Sequence, residues 1–379
     1  MKILYLSDFD ALGSGYKILG IPLCTGLAER GYEVKVLGLE YDGKEHNHPF
    51  SMIPCRDFRD ASGYAVNLHR MWHPDVFVVA LDVPSQPYFY DSVKAEGGKY
   101  IAITPLENGP LTISWAASLM PFDTVFWISE LGKSEAIKAG VLKSEHLRVG
   151  INPDEWRPPT AEERATLRRG LGIEENDFVV LTVADNQERK NLSAAMEIVS
   201  NLKKNLDRPI KYLLVTREHS NYGWKLRDLA VSLGINENLT IFERGMPSKD
   251  LWGLYASSDV FLLTSKAEGL GLPVLEAMAS CLPVVATETG ALPELLYDGR
   301  GYLIPPEYSH RDVWGNSWRH MISKERAESC LLDIARGHGN PASVTKKARD
   351  YIVKERQWSF AVNQLSGKIE ELCNAKKEN

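Results

Sequence analysis

Short apolar runs alternate with helix-patterned stretches along almost the whole chain, and the alternation breaks and restarts once. This order restricts the fold to parallel sheets with helices on both faces, because parallel neighbours need a crossover that a helix supplies. In the first half, strands are expected at Ile3–Leu6, Val34–Leu39, Val76–Leu81, Tyr100–Thr104, Val125–Ile128 and Leu147–Val149. Helices are expected over Ile18–Arg30, stopped by Gly31, and over Glu130–Ala139. Asn152-Pro153 and Arg157-Pro158-Pro159 then form a turn-rich crossing. Thr160-Ala161-Glu162-Glu163 is a capping box that opens a charged helix, so a domain boundary is placed between 157 and 158. The second series predicts strands at Phe178–Val183, Tyr212–Val215, Leu239–Phe242, Val260–Leu263, Val284–Ala286 and Gly301–Ile304, with a helical pattern after Pro341. Two doubly wound α/β domains follow, and the cleft between them is the default site.

A chain of 379 residues is too long for one ordinary α/β core, and 44% hydrophobic with 25% charged residues is ordinary globular composition. The net charge of −6 argues against a protein built for non-specific binding to a nucleic-acid backbone. Five cysteines without a CxxC pair or a histidine cluster argue against a zinc site or a disulfide framework. The N-terminal run Lys2–Leu6 reads as a strand and lacks the regions of a signal peptide, and no apolar run reaches about 18 residues. A cytoplasmic address without stable membrane insertion is expected, with peripheral contact at a membrane left open.

The most informative stretch is Ala267-Glu268-Gly269-Leu270-Gly271-Leu272-Pro273-Val274-Leu275-Glu276-Ala277, directly after an expected strand. Pro273 sits where a helix would start. Gly269 and Gly271 bare the backbone, so amides can approach a ligand, and the helix aims its positive end at the same place. Glu268 precedes the loop and Glu276 lies one turn into the helix. A carboxylate can accept two hydrogen bonds from a vicinal diol such as ribose. The plain alternative is a strand–loop–helix joint with two solvated glutamates.

Glu-x7-Glu around Gly-Leu-Gly-Leu-Pro resembles the signature of the retaining GT-B glycosyltransferases of family GT4, also called group 1. The resemblance spans nearly the whole chain, sharp from about Phe178 to Leu303 and looser before that. It implies two Rossmann-like domains, a first over 1–157 on the acceptor side and a second over 158–355 that holds the donor. Residues 356–379 would form a terminal helix returning to the first, with Trp358 as a packing anchor. It places Glu268 at the donor sugar, Glu276 on the nucleotide ribose, and the backbone of Gly269, Leu270, Gly271 and Leu272 facing the sugar.

Downstream, Pro283–Leu295 resembles the segment that follows this signature, and amides at Gly290 and Ala291 would cradle a diphosphate. The strand Phe178–Val183 leads into Asp185-Asn186-Gln187-Glu188-Arg189-Lys190. The family carries an Arg here and a Lys five positions on, both neutralising the departing diphosphate. Lys190 matches the Lys, whereas Asp185 stands at the Arg position and would repel phosphate; Arg189 is a candidate replacement. In the first domain Gly13 and Gly15 match a Gly-rich turn that touches donor or acceptor, and Glu107 matches an acid near the transferred sugar. Asp8-x-Asp10 imitates the metal-binding Asp-x-Asp of another glycosyltransferase fold. The glutamate motif in the second domain, and no further carboxylate cluster in the sequence, argue against a metal.

The resemblance thus implies transfer of a sugar from a nucleotide-diphosphate sugar, a UDP- or GDP-sugar co-substrate, onto an acceptor hydroxyl with retention, without metal or other cofactor. Glu268, Lys190 and Glu107 are the expected catalytic residues; Gly13, Gly15, Arg189, Gly269, Leu270, Gly271, Leu272, Glu276, Gly290 and Ala291 are the expected donor contacts. Acceptors left open are a glycan, a lipid carrier, a small metabolite or a modified nucleic acid. Asp185 keeps a nucleotide-sugar binding protein with weak or no turnover in play, and a GT-B phosphorylase or epimerase remains the second alternative. Lys133, Lys138, Lys143 and Arg148 form a weak basic cluster that reads first as a solvated helix face. Tyr308–Trp318, with Trp314, reads as a surface excursion at the cleft edge, and His310 and His320 as solvated.

Overall fold

The computed structural model describes residues 1–10, 13–313 and 315–374. Two compact units divide it: Met1–Gly150 with Arg356–Asn379, and Ile151–Glu355. The break falls ahead of the Pro158–Pro159 turn because the crossing is fastened to the second unit. Trp252 Nε1 donates to the Arg157 carbonyl at 2.7 Å, and Arg349 donates to the carbonyls of Pro153 and Trp156 at 2.8 and 2.7 Å.

The first unit is built on β1 (Lys2–Asp8), β2 (Glu33–Leu39), β3 (Ser51–Cys55), β4 (Val76–Ala80), β5 (Lys99–Thr104), β6 (Thr124–Trp127) and β7 (Ser144–His146). All pair in parallel in the order β3-β2-β1-β4-β5-β6-β7. Its central strands are buried on both faces, as expected when helices cover both sides. Helices start on short polar caps: Ser14, Asp57, Thr112 and Ser129 each accept a backbone N–H of the first turn. Gly31, with φ of 84°, ends the first helix as the sequence implied.

Two strands of this unit differ from expectation. The edge strand β3 is half-exposed and carries Pro54, so it shows no apolar run. The last strand is Ser144–His146 and not Leu147–Val149. Its inward residues are polar, with Trp127 Nε1 donating to Ser144 Oγ at 3.1 Å, so pairing and not hydrophobicity sets the position.

The helix Trp358–Asn374 closes this unit against the helix Gly15–Glu29. Gly26 faces Val362, Arg30 Nη1 donates to Ser366 Oγ at 2.7 Å, and Gln364 bonds the His146 carbonyl and the Arg148 amide at 2.9 Å each. A Cβ on Gly150 would run into the backbone of Trp358, which is half-buried there.

The second unit is built on β8 (Phe178–Val183), β9 (Ile210–Thr216), β10 (Leu239–Glu243), β11 (Val260–Leu263), β12 (Val284–Thr287) and β13 (Tyr302–Ile304). They form a parallel sheet in the order β10-β9-β8-β11-β12-β13. Before it, the helix Ala161–Gly170 opens on the expected capping box, with Glu163 N donating to Thr160 Oγ1 at 3.1 Å and Thr160 N to the Glu163 carboxylate at 2.8 Å. An antiparallel hairpin, β14 (Pro306–Arg311) and β15 (Trp318–Ile322), follows the sheet. It occupies the stretch read only as a surface excursion; Trp314 lies outside the described residues. Asp312 and Arg319 form a buried ion pair within it.

Candidate functional site

Each sheet has the 3-2-1-4-5-6 order of a doubly wound fold at its core, which reverses direction between β8 and β11 in the second unit. Ligands bind open parallel sheets beyond the carboxyl ends of the strands at such a reversal. The loop after β8 carries Asp185–Lys190, and the loop after β11 carries Thr264–Gly271. Thr264 Oγ1 donates to the Asn191 carbonyl at 2.9 Å and Lys266 N to the Arg189 carbonyl at 2.8 Å, so the two loops are bonded to each other.

Glu268 is buried between them. Lys190 Nζ donates to its Oε1 at 2.6 Å and Ser265 Oγ to the same oxygen at 2.7 Å. Arg189 Nη1 stands 3.5 Å from Oε2 and donates to the Ala267 carbonyl at 2.8 Å. Burial pushes the Glu268 pKa up, but the Lys190 and Arg189 charges and the two donated bonds outweigh it and hold the group below its usual range. Glu268 is therefore an ionised acceptor inside the fold at neutral pH.

Glu276 sits on the helix Leu272–Ala279, also buried, where Tyr255 Oη donates to its Oε2 at 2.7 Å. Burial raises its pKa to about 7, the Tyr255 bond opposes the rise, and the Glu155 charge adds to it. Two carboxylates on one loop and helix thus hold different protonation states, because one has cations beside it and the other a neutral hydroxyl. Gly271 enters the helix with φ of 93°, and a Cβ there would meet Leu292 Cδ2 at 2.9 Å. Conformation and close approach both require glycine at that point. Pro273 occupies the first turn, as expected.

The loop after β12 closes against the same place. Gly290 has φ of 53°, and Thr289 Oγ1 donates to the Lys266 carbonyl at 2.8 Å. The Ala291 amide, expected to be open to a diphosphate, instead donates to the Glu268 carbonyl at 2.9 Å and fixes one loop to the other. His320, expected in solvent, ties β15 to the site. Its backbone N–H donates to the Lys266 carbonyl at 2.8 Å and its Nδ1 lies 3.1 Å from the Glu288 carbonyl.

Asp185 does not present an uncompensated charge. Arg217 Nε and Nη2 grip its two oxygens at 2.7 and 2.5 Å, Arg244 Nη1 stands 3.2 Å away, and Gln187 Nε2 donates at 2.8 Å. Burial raises its pKa, but the Arg217 bond and the Arg244 charge outweigh that and keep it below the usual range. The repulsion expected of that one residue is cancelled by two others just past the ends of neighbouring strands. Tyr255, Arg217 and Arg244 carried no sequence signal, since each meets its partner only in the folded unit.

In the first unit, Gly13 has φ of 71° and Gly15 opens the helix Gly15–Glu29, capped by Ser14. Asp10 Oδ1 accepts from Ser14 N at 2.9 Å. Glu40 joins Asp8 and Asp10, with ligand atoms of the three within 4.8 Å of one another. The sequence showed no third carboxylate because Glu40 arrives from the end of β2; these are the residues that could hold a cation. Glu107 is half-buried after β5, and its charge acts on Tyr16, whose hydroxyl donates to Asp82 at 2.6 Å. In the basic cluster, Lys133 pairs with Glu130 at 3.9 Å, Lys138 with Glu135 at 2.7 Å, and Lys143 donates to the Phe122 carbonyl at 3.3 Å, as a solvated face would.

Residues 163–316 match the family of glycosyl transferases group 1. The chain is similar to that family over this segment of the second unit. It is 26% identical over 228 residues to a D-inositol 3-phosphate glycosyltransferase of Corynebacterium kroppenstedtii, covering 58% of this chain and 50% of the relative. It is 32% identical over 164 residues to a GDP-mannose-dependent alpha-(1-6)-phosphatidylinositol monomannoside mannosyltransferase of Mycolicibacterium smegmatis, covering 41% of each. The chain thus spans half or less of the length of these two curated relatives. Anabaena HepE, solved in complex with UDP-glucose, superposes with a TM-score of 0.78 at 17% identity over 98% of this chain and 100% of that one. That likeness is one of fold, the GT-B fold expected from the sequence. The group 1 segment contains Lys190, Glu268, Gly271, Glu276 and Gly290, whereas Gly13, Gly15 and Glu107 lie outside it. No helix among the described residues is long and apolar enough to cross a membrane.

Proposed function

We propose that this chain transfers a sugar from a nucleotide-diphosphate sugar to an acceptor hydroxyl with retention and without a metal. The observation that carries the reading is the pair of buried carboxylates on one loop and helix. Glu268 is held ionised by Lys190 and Arg189, and burial raises the Glu276 pKa to about 7 against the bond from Tyr255. An ionised buried acceptor suits sugar hydroxyls, and a carboxylate one turn along a helix suits a ribose diol. Lys190, Arg189 and the amino end of the helix Leu272–Ala279 offer positive potential for the departing diphosphate, a task that a metal performs in other sites. Glu268 acts on hydroxyls and not as a nucleophile, in keeping with its two donated bonds and adjacent cations.

The donor class is supported by one relative named for GDP-mannose and one structural neighbour solved with UDP-glucose. The acceptor is a hydroxyl on a glycan, a lipid carrier, a small metabolite or a modified nucleic acid, and the reading assigns the chain to the cytoplasm, with peripheral contact at a membrane left open. Asp185 no longer favours binding without turnover, because its charge is matched by Arg217 and Arg244.

The test is a thermal-shift screen against UDP-, GDP-, ADP- and dTDP-sugars, followed by donor hydrolysis with the one that binds. A ligand at a hundred times its Kd adds about 2.7 kcal/mol to folding and raises the melting point. Glu276→Ala should remove most of that rise. No rise with any of the four donors overturns the reading.

A further inference from the structure

The loops after β8, β11 and β12 and the strand β15 meet at one backbone position, Lys266, just ahead of Glu268 in the same loop. The Lys266 N–H donates to the Arg189 carbonyl after β8 at 2.8 Å. The Lys266 carbonyl accepts from Thr289 Oγ1, in the loop after β12, and from the His320 N–H on β15, each at 2.8 Å. A carbonyl oxygen has two lone pairs, so this one is fully used. His320 makes a second tie through its ring. Its Nδ1 lies 3.1 Å from the Glu288 carbonyl, and since a carbonyl only accepts, Nδ1 carries the proton. One residue of β15 thus holds both the loop after β11 and the loop after β12. Those loops are joined again where the Ala291 N–H donates to the Glu268 carbonyl at 2.9 Å.

The hairpin around His320 is fixed at both ends. Ile322 is buried at its base, opposite Pro306. Towards the tip, the register sets Arg311 opposite Trp318, and the guanidinium lies over the indole ring at 3.9 Å. The buried ion pair of Asp312 with Arg319 closes the tip, and breaking it would strand a buried charge, so the two strands have one favoured arrangement. β14 is exposed from Glu307 to Arg311, whereas β15 carries the buried Arg319 and Ile322, so β15 is the strand packed on the unit. β15 also lies beyond residue 316, outside the segment that matches group 1.

We propose that His320 is a positioning residue of the donor site, acting through the Lys266 and Glu288 carbonyls to hold the Glu268 loop in the geometry that receives the donor sugar. The inference rests on the donor reading above. A loop that must be ordered on binding subtracts from affinity, and a loop tied beforehand does not. The backbone tie at Lys266 survives side-chain substitution, so the ring tie to Glu288 can be removed by itself.

His320→Leu removes the ring donor, and His320→Asn offers a side-chain amide N–H in its place. Calorimetric titration of the full chain with UDP-glucose, GDP-mannose, UDP and GDP tests the proposal. For the sugar nucleotide that wild type binds, His320→Leu should lose about tenfold in affinity, the size of one hydrogen bond. The loss for the matching nucleoside diphosphate should be smaller, because Glu268 is read as meeting sugar hydroxyls. His320→Asn should stay within about threefold of wild type. Nitrogen-15 shifts of the His320 ring in wild type should report the Nδ1–H form. Unchanged sugar-nucleotide affinity in His320→Leu, an equal loss for sugar nucleotide and diphosphate, no recovery in His320→Asn, or a neutral ring protonated only on Nε2 overturns the proposal. A wild-type chain that binds none of the four probes refutes the donor reading and this inference with it, whereas wild-type binding that His320→Leu leaves intact refutes this inference alone.

Discussion

The Lys190 ammonium and the Glu268 carboxylate meet at 2.6 Å inside the second unit, 78 residues apart in the chain. Both side chains are largely covered, at 16% and 6% exposure. The pair is therefore a desolvated one, and loss of Lys190 leaves Arg189 and Ser265 to offset the burial of the Glu268 charge.

Lys190→Ala should destabilise the chain by about 2 kcal/mol at pH 7, less than the full cost of stranding a buried charge because Arg189 still stands 3.5 Å from the carboxylate. The Glu268 pKa is held below its ordinary value in the fold, so its contribution is present above the ordinary carboxylate range and is lost as pH falls through the folded value. Urea unfolding of both proteins should show the gap narrow as the pH is lowered into that range. A gap of the same size at both ends would show that the charge of Glu268 is not involved.

Glu276 titrates in the opposite sense. Its folded pKa of about 7 lies above the ordinary 4.5, so the unfolded chain ionises first as pH rises. Stability should fall by about 3 kcal/mol between pH 4.5 and 7 and level off above that. Glu276→Gln should flatten this part of the stability–pH curve. An unchanged slope would remove Glu276 as its source.

The same titration bears on ligand binding. A nucleotide sugar carries a diphosphate diester that does not change charge near neutrality, so the site carboxylate dominates the pH response. Affinity for the donor should rise between pH 6 and pH 8 as Glu276, with its pKa of about 7, becomes a full acceptor. Titrations in one buffer series at constant ionic strength measure it, and Glu276→Gln should abolish the trend.

Asp185→Arg would set a third guanidinium against Arg217 and Arg244, which now share one carboxylate. The melting point should drop, with a loss of about 2 kcal/mol, and by more than in Asp185→Asn. A variant as stable as wild type would mean that the two arginines find other acceptors at no cost.

Thr160→Ala removes the side chain that accepts the Glu163 amide at 3.1 Å in the capping box. A loss of about 1 kcal/mol in denaturant unfolding is expected.

Local chemistry made a large part of this fold legible. The runs Phe178–Val183 and Val260–Leu263 coincide with β8 and β11, because a strand buried on both faces must be apolar throughout. The capping box, the turn at Gly31 and the left-handed Gly271 before Pro273 act over a few residues, so sequence alone places them. Both carboxylates of the site were legible for the same reason. Their states were not. Glu276 owes its proton affinity to burial, against a bond from Tyr255 21 residues away, and Asp185 owes its compensation to Arg217, 32 residues away. β3, β7 and the hairpin β14–β15 escaped notice because backbone pairing and polar inward residues define them, and no apolar period marks such strands. The sequence by itself determined the apolar strands, the capped helices and the glycine turns, since those depend on near neighbours. Only the tertiary structure decided which charges face one another, because strand order brings distant residues to a common rim and burial then sets how strongly they interact.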